Sequence, residues 1–266
     1  MPELNIAIDA MGGDNGPSIV IEALEKAVHR YPDVKFTVVG HEQQLTPLLD
    51  KFNLSSHPSI NLVHAEQVIE MDDKPGQSLR SKPESSMRVA LQSLTDGNCQ
   101  AMVSGGNTGA LMTNAYFTLK TLPGVLRPAL MTALPNQTGG KSYLLDLGAN
   151  ASCDSETLFQ FGVMGAVAAE YLSGVPAPKI TLLNMGEEDI KGNDVVRNAA
   201  ARLAQCEQLN YIGFIEGNHL FSGRADVVVC DGFVGNVALK SSEGVANMFL
   251  HLLKESFTKN IFTKLN

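Results

Sequence analysis

Short apolar segments alternate with amphipathic segments along almost the whole chain. Short apolar segments that end in polar or glycine-rich turns are typical of buried strands. We therefore predict strands at 5–8, 35–39, 60–63, 101–103, 130–134, 143–147, 180–183, 211–215 and 227–230. Apolar residues at spacings of three and four predict helices at 17–30, 43–52, 87–94, 156–172, 195–205 and 234–257, with another opening near residue 108. This alternation predicts an α/β fold in which a mostly parallel sheet carries helices on both faces.

The chain shows no internal repeat, low-complexity tract or Gly/Ser-rich linker. We therefore expect one domain over residues 1–266. The polar stretch at 66–86 contains two prolines, Pro75 and Pro83, and several charged residues. Long polar connections of this kind are often functional, so we expect a loop near a site.

Charge and cysteine usage exclude several classes of protein. A net charge of −8 argues against a general nucleic-acid binder, which needs a clustered basic surface. The four cysteines are widely separated and form no CxxC pair, so a zinc site is not expected. The N-terminal residues lack the pattern of a signal peptide, and no apolar run is long enough to span a membrane. We therefore expect a cytoplasmic protein with reduced thiols.

Five polar turns follow predicted strands, and they carry the candidate chemistry. They lie at 9–14, 104–109, 146–150, 184–187 and 231–236. Ligands of parallel α/β sheets bind outside the carboxyl ends of the strands, so we expect these turns to meet at one sheet edge. Glycine allows backbone N–H groups to point at a common anion.

The sequence SGGNTGA at 104–110 is the sharpest of these motifs. Its position between a strand and a helix puts Gly106, Asn107 and Thr108 at a helix N-terminus, where free N–H groups and the helix dipole favour phosphate. The alternative interpretation is an ordinary turn in which Asn107 or Thr108 caps the helix. The P-loop, GxGxxG, GxSxG and HExxH motifs are all absent from the sequence.

Taken together, these segments resemble the phosphate acyltransferase family of bacterial phospholipid synthesis. The resemblance is carried by IAIDAMGGDNGP, PGQSLRSKPESSM, MVSGGNTGALM, LLDLGAN, LLNMGEE and CDGFVGNVALK, which extend over nearly the whole chain. It implies a three-layer α/β/α fold like that of isocitrate and isopropylmalate dehydrogenases and phosphate acetyltransferase. Family members usually continue beyond Asn266, so it also implies a C-terminal portion that this sequence lacks.

The resemblance implies the conversion of acyl-[acyl carrier protein] and inorganic phosphate to acyl phosphate and free carrier protein. The sequence shows no metal-ligand cluster and no dinucleotide-binding motif, so we expect no metal or cofactor. Full activity should then survive EDTA and dialysis. The product would feed a membrane glycerol-3-phosphate acyltransferase. The implied partners are acyl carrier protein, phosphate and a second copy of the chain.

Such a reaction needs phosphate held beside the thioester carbonyl, donors for the developing oxyanion, and exclusion of water. We assign phosphate cradling to Gly105, Gly106, Asn107 and Thr108. Lys240 is the first choice for a cation, with Arg80 and Lys82 as alternatives. The candidate oxyanion donors are Asn150, Asn184 and Asn236. Asp9, Asp14, Asp146 and Asp231 are expected to orient loops and cations at the binding site rather than to act as bases, because carboxylates repel phosphate. Gly12 and Gly13 are further candidates for binding phosphate or substrate.

The last predicted helix carries a broad apolar face, formed by Val234, Val237, Val245, Met248, Phe249, Leu252, Leu253 and Phe257 and continued by Ile261 and Phe262. This face favours core or a dimer interface. Peripheral contact with anionic lipid, aided by Lys254, Lys259 and Lys264, stays open as an alternative. These lysines, or Arg80, Lys82 and Arg88, could also dock the acidic carrier protein.

Two other functions remain open. One is a nicotinamide-dependent decarboxylating dehydrogenase of the same fold class, which would need a carboxylate cluster for a metal. The other is a non-catalytic regulatory or scaffold protein of lipid metabolism.

Overall fold

The computed structural model describes residues 4–258. The chain divides into two compact units, unit 1 over Met1–Pro123 and unit 2 over Gly124–Asn266. Each unit has its own sheet and its own core. The expectation of one domain over residues 1–266 stays a prediction.

Unit 1 is built on a four-stranded, fully parallel sheet in the order β3-β2-β1-β4. Its elements are β1 (Leu4–Asp9), α1 (Gly16–Arg30), β2 (Val34–Gly40), α2 (Glu42–Lys51), β3 (Ile60–His64), α3 (Pro75–Ser81), α4 (Ser86–Thr95), β4 (Ala101–Ser104) and α5 (Thr108–Leu119). Successive side chains of a strand point to opposite faces of the sheet, so β2 contributes to a hydrophobic cluster on each face. Val38 packs in one cluster with Ile21 of α1, while Val39 packs in another with Ala90 of α4.

Unit 2 has a five-stranded sheet in the order β5-β6-β9-β7-β8, parallel except for β5. Its elements are β5 (Met131–Pro135), β6 (Lys141–Leu145), α6 (Ser155–Ser173), β7 (Lys179–Leu183), α7 (Asp194–Gln205), β8 (Asn210–Ile215), a 3-10 turn (Gly217–His219), β9 (Val227–Val229) and α8 (Gly232–Thr258). Phe161 of α6 and Leu203 of α7 cover one sheet face beside Val227, and Leu239 of α8 packs near Val228 on the other.

The α/β fold class and the helices and strands predicted from the sequence are confirmed. Two differences are informative. The strands belong to two sheets, because β4 pairs only with β1 and β5 opens a new antiparallel pair. The polar stretch at 66–86 contains a short helix, α3, which begins at Pro75, a residue suited to the first turn of a helix. Among the described helices, none is both long and apolar enough to cross a membrane.

Candidate functional site

In unit 1, the turns after β1 and β4 are joined through one serine. Asp9 and Ser104 lie opposite each other at the ends of these paired strands. The Ser104 hydroxyl donates to Asp9 Oδ2 at 2.7 Å and accepts from the Gly106 N–H at 3.1 Å. Asp9 is buried and also accepts, at 3.4 Å, from the Met11 N–H. Its carboxylate therefore links the turns after β1 and β4, and its predicted role in orienting loops and cations stays a prediction.

The backbones of the two glycine pairs approach each other closely, and most closely at Gly12. A Cβ at Gly12 would lie 2.7 Å from Asp9 Oδ2 and 2.8 Å from the Gly106 nitrogen. Gly13 has a φ of +112°, and a Cβ there would lie 3.0 Å from the Gly105 oxygen. The backbones of 12–13 and 105–106 thus form one contiguous surface.

Asn107 begins α5 and joins it to the polar stretch. Its Oδ1 accepts from the Ala110 N–H at 3.0 Å, which makes it the helix cap. Its Nδ2 donates to the carbonyl oxygens of Glu70, Met71 and Asp73 at 3.4, 3.0 and 2.9 Å. Because the side-chain amide is fully used, any anion bound here would contact backbone N–H groups. Those of Thr108 and Gly109 donate to no group among residues 4–258.

The candidate cations of unit 1 differ in their partners. Lys82 Nζ lies 2.5 Å from Asp73 Oδ2, and both side chains are about three-quarters buried. This hydrogen bond, followed by that from the Glu70 N–H, lowers the pKa of Asp73. Arg80 is exposed, and only its Nε donates, at 3.3 Å, to the Gly76 oxygen among the described contacts. Arg80 is therefore more available than Lys82 to bind a substrate anion. Asp14, in the turn after β1, is exposed.

In unit 2, Asp146 organises the turn after β6. It is fully buried and accepts five hydrogen bonds. Oδ1 accepts from the N–H groups of Leu130, Gly148 and Ala149, at 3.0, 3.2 and 3.0 Å. Oδ2 accepts from the backbone N–H and Nδ2 of Asn150, at 2.7 and 2.9 Å.

The Nδ2 of Asn150 also donates to the Pro128 oxygen at 2.8 Å. Both amide hydrogens are therefore in use, and the predicted role of Asn150 as an oxyanion donor would require one of these bonds to break. That role stays a prediction.

The first turn of α8 packs directly on the same turn. A Cβ at Gly235 would lie 1.9 Å from the Asp146 carbonyl oxygen and 2.9 Å from Cys230 Sγ. Asp231 Oδ1 accepts from the Val234 N–H at 2.8 Å and so caps the helix. Asn236 is exposed beside Gly148, so among the predicted oxyanion donors it has the freest amide.

Lys240 lies one helical turn beyond Asn236 and is exposed. Its Nζ pairs with Glu243 Oε2 at 2.8 Å. Exposed pairs contribute little to stability, so this lysine can exchange its partner for a substrate anion.

Asn184 supports the turn after β7. Its Oδ1 accepts from the Met185 N–H at 2.9 Å and its Nδ2 donates to the Lys191 oxygen at 3.1 Å. It also lines a cavity of about 610 Å³ at the carboxyl ends of β7 and β9, which we call the β7–β9 cleft. The apolar lining comes mainly from Leu158, Leu182, Leu183, Val195, Val196 and Val229.

The structure brings the predicted residues together in two groups. The turns at 9–14 and 104–109 adjoin on β1 and β4, and those at 146–150, 184–187 and 231–236 adjoin on β6, β7 and β9. The expectation of one sheet edge is therefore wrong, because the strands form two sheets.

Sequence reasoning assigned no role to Ser104, the first residue of SGGNTGA, or to Asp73. Neither carries a signal by itself, because their partners, Asp9 and Lys82, are identified only by the folded chain. Within 4–258, no group of three or more His, Cys, Asp or Glu side chains could hold a metal ion.

The apolar face of α8 is exposed among the described residues. Its eight described members are between 40% and 63% exposed. The interpretation as core is therefore wrong for this part of the chain, and the interface and lipid interpretations stay predictions. Lys259, Ile261, Phe262 and Lys264 lie outside the described residues.

Comparison with known proteins gives consistent results. A family model described as fatty acid synthesis protein matches residues 4–266. The phosphate acyltransferase of Idiomarina loihiensis is 94% identical over 260 residues, 98% of this chain and 76% of that protein. The phosphate acyltransferase of Legionella pneumophila is 51% identical over 265 residues, 100% of this chain and 77% of that protein.

Among solved structures, a branched-chain phosphotransacylase from Enterococcus faecalis matches with a TM-score of 0.57 and 19% identity. The match covers 90% of this chain and 83% of that one. This likeness confirms the predicted phosphotransacylase-like fold.

Proposed function

Because the chain belongs to the phosphate acyltransferase family, we propose that it transfers the acyl group of acyl-[acyl carrier protein] to inorganic phosphate. The family makes the chain an acyltransferase of fatty acid synthesis. The finer proposal is that acyl phosphate is its product and that phospholipid synthesis consumes it, through a membrane glycerol-3-phosphate acyltransferase.

The single observation that carries the phosphate role is the start of α5. The N–H groups of Thr108 and Gly109 have no partner within residues 4–258, and the helix dipole adds positive potential there. The adjoining backbone surface of 12–13 and 105–106 has no side chains to block an approaching anion. Asp9, in the same turns, is buried, and its carboxylate accepts hydrogen bonds from Ser104 and Met11 of these loops.

In the proposed reaction, an oxygen of hydrogen phosphate attacks the thioester carbonyl carbon. The new C–O bond forms, the C–S bond breaks, and the phosphate proton ends on the departing carrier thiol. Asn236 is the candidate donor to the oxyanion, because its amide is exposed whereas that of Asn150 is occupied. Lys240 and Arg80 are the candidate cations, since each is exposed.

Carrier protein is acidic, and this chain is net negative, so docking needs a local basic surface. Arg80, Lys82 and Arg88 belong to the consecutive helices α3 and α4 or the turn between them. We propose this group as the docking surface, with Lys254 of α8 as the alternative. Contacts of this kind are screened over about 8–10 Å at ordinary salt, so KM for acyl carrier protein should rise with ionic strength. The exposed face of α8 is proposed as the dimer interface, with reversible contact to anionic lipid as the alternative.

The test is incubation with acyl-[acyl carrier protein], with and without phosphate. Release of carrier thiol should require phosphate, and the product should be trapped by hydroxylamine as a hydroxamate. Gly106→Val should raise the phosphate requirement, because a Cβ at Gly106 would lie within 3.3 Å of Met87, Ser104 and Gly12. Gly217→Val is the control, since a Cβ there meets nothing within 4 Å.

Two results would overturn the proposal. Thiol release that ignores phosphate would identify a hydrolase. Reduction of NAD with a hydroxy acid, dependent on added metal, would identify the dehydrogenase.

A further inference from the structure

We propose that the β7–β9 cleft of unit 2 is the subsite for the acyl chain of the substrate. This inference rests on the proposed acyl transfer and adds where the chain lies and which residues limit its length. The cleft volume, about 610 Å³, falls within the range of small-molecule sites.

The lining combines a buried apolar floor with apolar and polar side chains from the surrounding turns. Leu158, Leu182 and Val229 are at most 3% exposed and form the deepest part. Met185 and Val234 are 78% and 40% exposed and therefore mark the rim. The polar lining residues, Ser152, Asn184, Asn193 and Asp231, belong to the turns that precede helices or follow β7. An amphiphile with a long apolar chain and a polar end matches this arrangement.

The electrostatic surroundings favour a neutral chain over an anion. Burial, followed by the charges of Asp146 and Asp231, raises the pKa of the Cys153 thiol to about 11. Burial, followed by the same two charges, also raises the pKa of Cys230. Both thiols line the cleft, so it opposes negative charge.

The helix N-termini beside the cleft do not reverse this preference. Those of α6 and α8 are capped by the carboxylates of Asp154 and Asp231. The N-terminus of α7 is capped by the Asn193 side chain. Phosphate is therefore disfavoured in the cleft, and an alkyl chain is not.

Val196 is the residue best placed to limit chain length. It lines the cleft from the first turn of α7 and is half-buried at the edge of the unit 2 core. Its backbone N–H donates to Asn193 Oδ1, a bond that substitution preserves. Val196→Phe should shorten the cleft and Val196→Ala should lengthen it. Val167→Phe is the matched control, since Val167 is 50% exposed on α6 and is not among the lining residues.

Alkylation of Cys153 reports occupancy without any turnover. Cys153 and Cys206 are both partly exposed free thiols of unit 2, but only Cys153 lines the cleft. The protein is treated with N-ethylmaleimide near pH 8.5, with uncharged saturated fatty alcohols of graded length as probes. Modification at each cysteine is then measured by peptide mass spectrometry.

Fatty alcohols should protect Cys153 and leave the alkylation of Cys206 unchanged. Affinity should rise about fourfold for each added methylene until the cleft is full. Val196→Phe should move that limit to shorter chains, Val196→Ala to longer ones, and Val167→Phe should leave it where it is. Equal protection of both cysteines, no protection of Cys153, or an unmoved limit in both Val196 variants would overturn the proposal. Because the assay contains neither phosphate nor carrier protein, protection in a chain without transacylase activity would support the subsite and refute the proposed reaction.

Discussion

Two glycines of α8 should respond to the same substitution with opposite signs. Gly235 and Gly244 lie nine positions apart in one helix, and alanine is preferred to glycine in a helix interior by about 1 kcal/mol. At Gly244, a Cβ meets nothing within 4 Å, so Gly244→Ala should be stabilising by about 0.5–1 kcal/mol. At Gly235, a Cβ would lie 1.9 Å from the Asp146 oxygen, well inside van der Waals contact.

Relief of that overlap requires the first turn of α8 to move by about 1 Å away from the turn after β6. Overpacking of this kind costs about 1–3 kcal/mol, and more where backbone atoms cannot yield. The obstructing atom is a backbone oxygen, and its neighbour Cys230 is buried, so the upper part of the range applies. After the helical preference is subtracted, Gly235→Ala should destabilise the protein by about 2 kcal/mol or more.

Thermal unfolding by circular dichroism measures the difference. Gly235→Ala should lower Tm by roughly 4–8 °C, and Gly244→Ala should raise it by roughly 1–4 °C. The Gly235→Ala shift also moves Asn236, so kcat/KM for acyl transfer should fall by as much as about 100-fold, while Gly244→Ala keeps the wild-type value. A Gly235→Ala protein as stable and active as Gly244→Ala would refute the close packing of α8 on this turn.

The other predictions test the hydrogen bonds that hold the turns. Asp146→Asn places an NH₂ group against two donors of Asn150 and should lower the free energy of unfolding, measured in urea, by about 3–6 kcal/mol. Asp154→Asn should leave it almost unchanged, because Asn caps a helix as well as Asp does, and similar losses in both variants would contradict the role of Asp146. Asn107→Asp keeps the cap of α5 but loses the three hydrogen bonds of Nδ2, so amide hydrogen exchange in the polar stretch at 66–86 should become about 30-fold faster while α5 stays protected. Unchanged exchange would show that other contacts hold this polar stretch in place. Since the folded-state pKa of Asp73 is lowered, its pairing with Lys82 should stabilise the protein by about 0.5–1 kcal/mol above roughly pH 4 and lose that effect as pH falls through the lowered pKa. Asp73→Asn should remove this pH dependence, and a stability–pH profile identical to that of the wild type would refute the prediction.

The fold was largely predictable because its elements are locally encoded. Apolar runs ending in glycine-rich turns identified the strands, and spacings of three and four identified the long helices. The division into two sheets was not predictable, since it depends on which strands pair. Nothing within 101–104 or 131–135 indicates that β4 is an edge strand or that β5 pairs antiparallel with β6. Helix α3 was missed because seven residues rich in polar side chains give no helical period.

The candidate site was predictable in position but not in the use of each side chain. Asn107, Asn150 and Asn236 have the same chemistry in the sequence, yet the fold occupies both amide hydrogens of Asn150 and exposes Asn236. Asn107 donates to carbonyls 34 to 37 positions away, which no local pattern reveals.

This difference bears on how the family's chemistry can work here. A buried side-chain amide that already holds a loop in place can donate to an oxyanion formed during the reaction only if it breaks the hydrogen bonds it already makes, which costs free energy. Stabilisation of developing charge must then come from groups that are fixed but unpaired. Among the described residues, the N–H groups of Thr108 and Gly109 in unit 1 are fixed by the backbone of α5 and unpaired, whereas the amide of Asn236 in unit 2 is exposed and unpaired. Side chains such as Asn107, Asp146 and Asn150 instead keep the loops rigid, so substituting them should impair catalysis through misplacement of these donors.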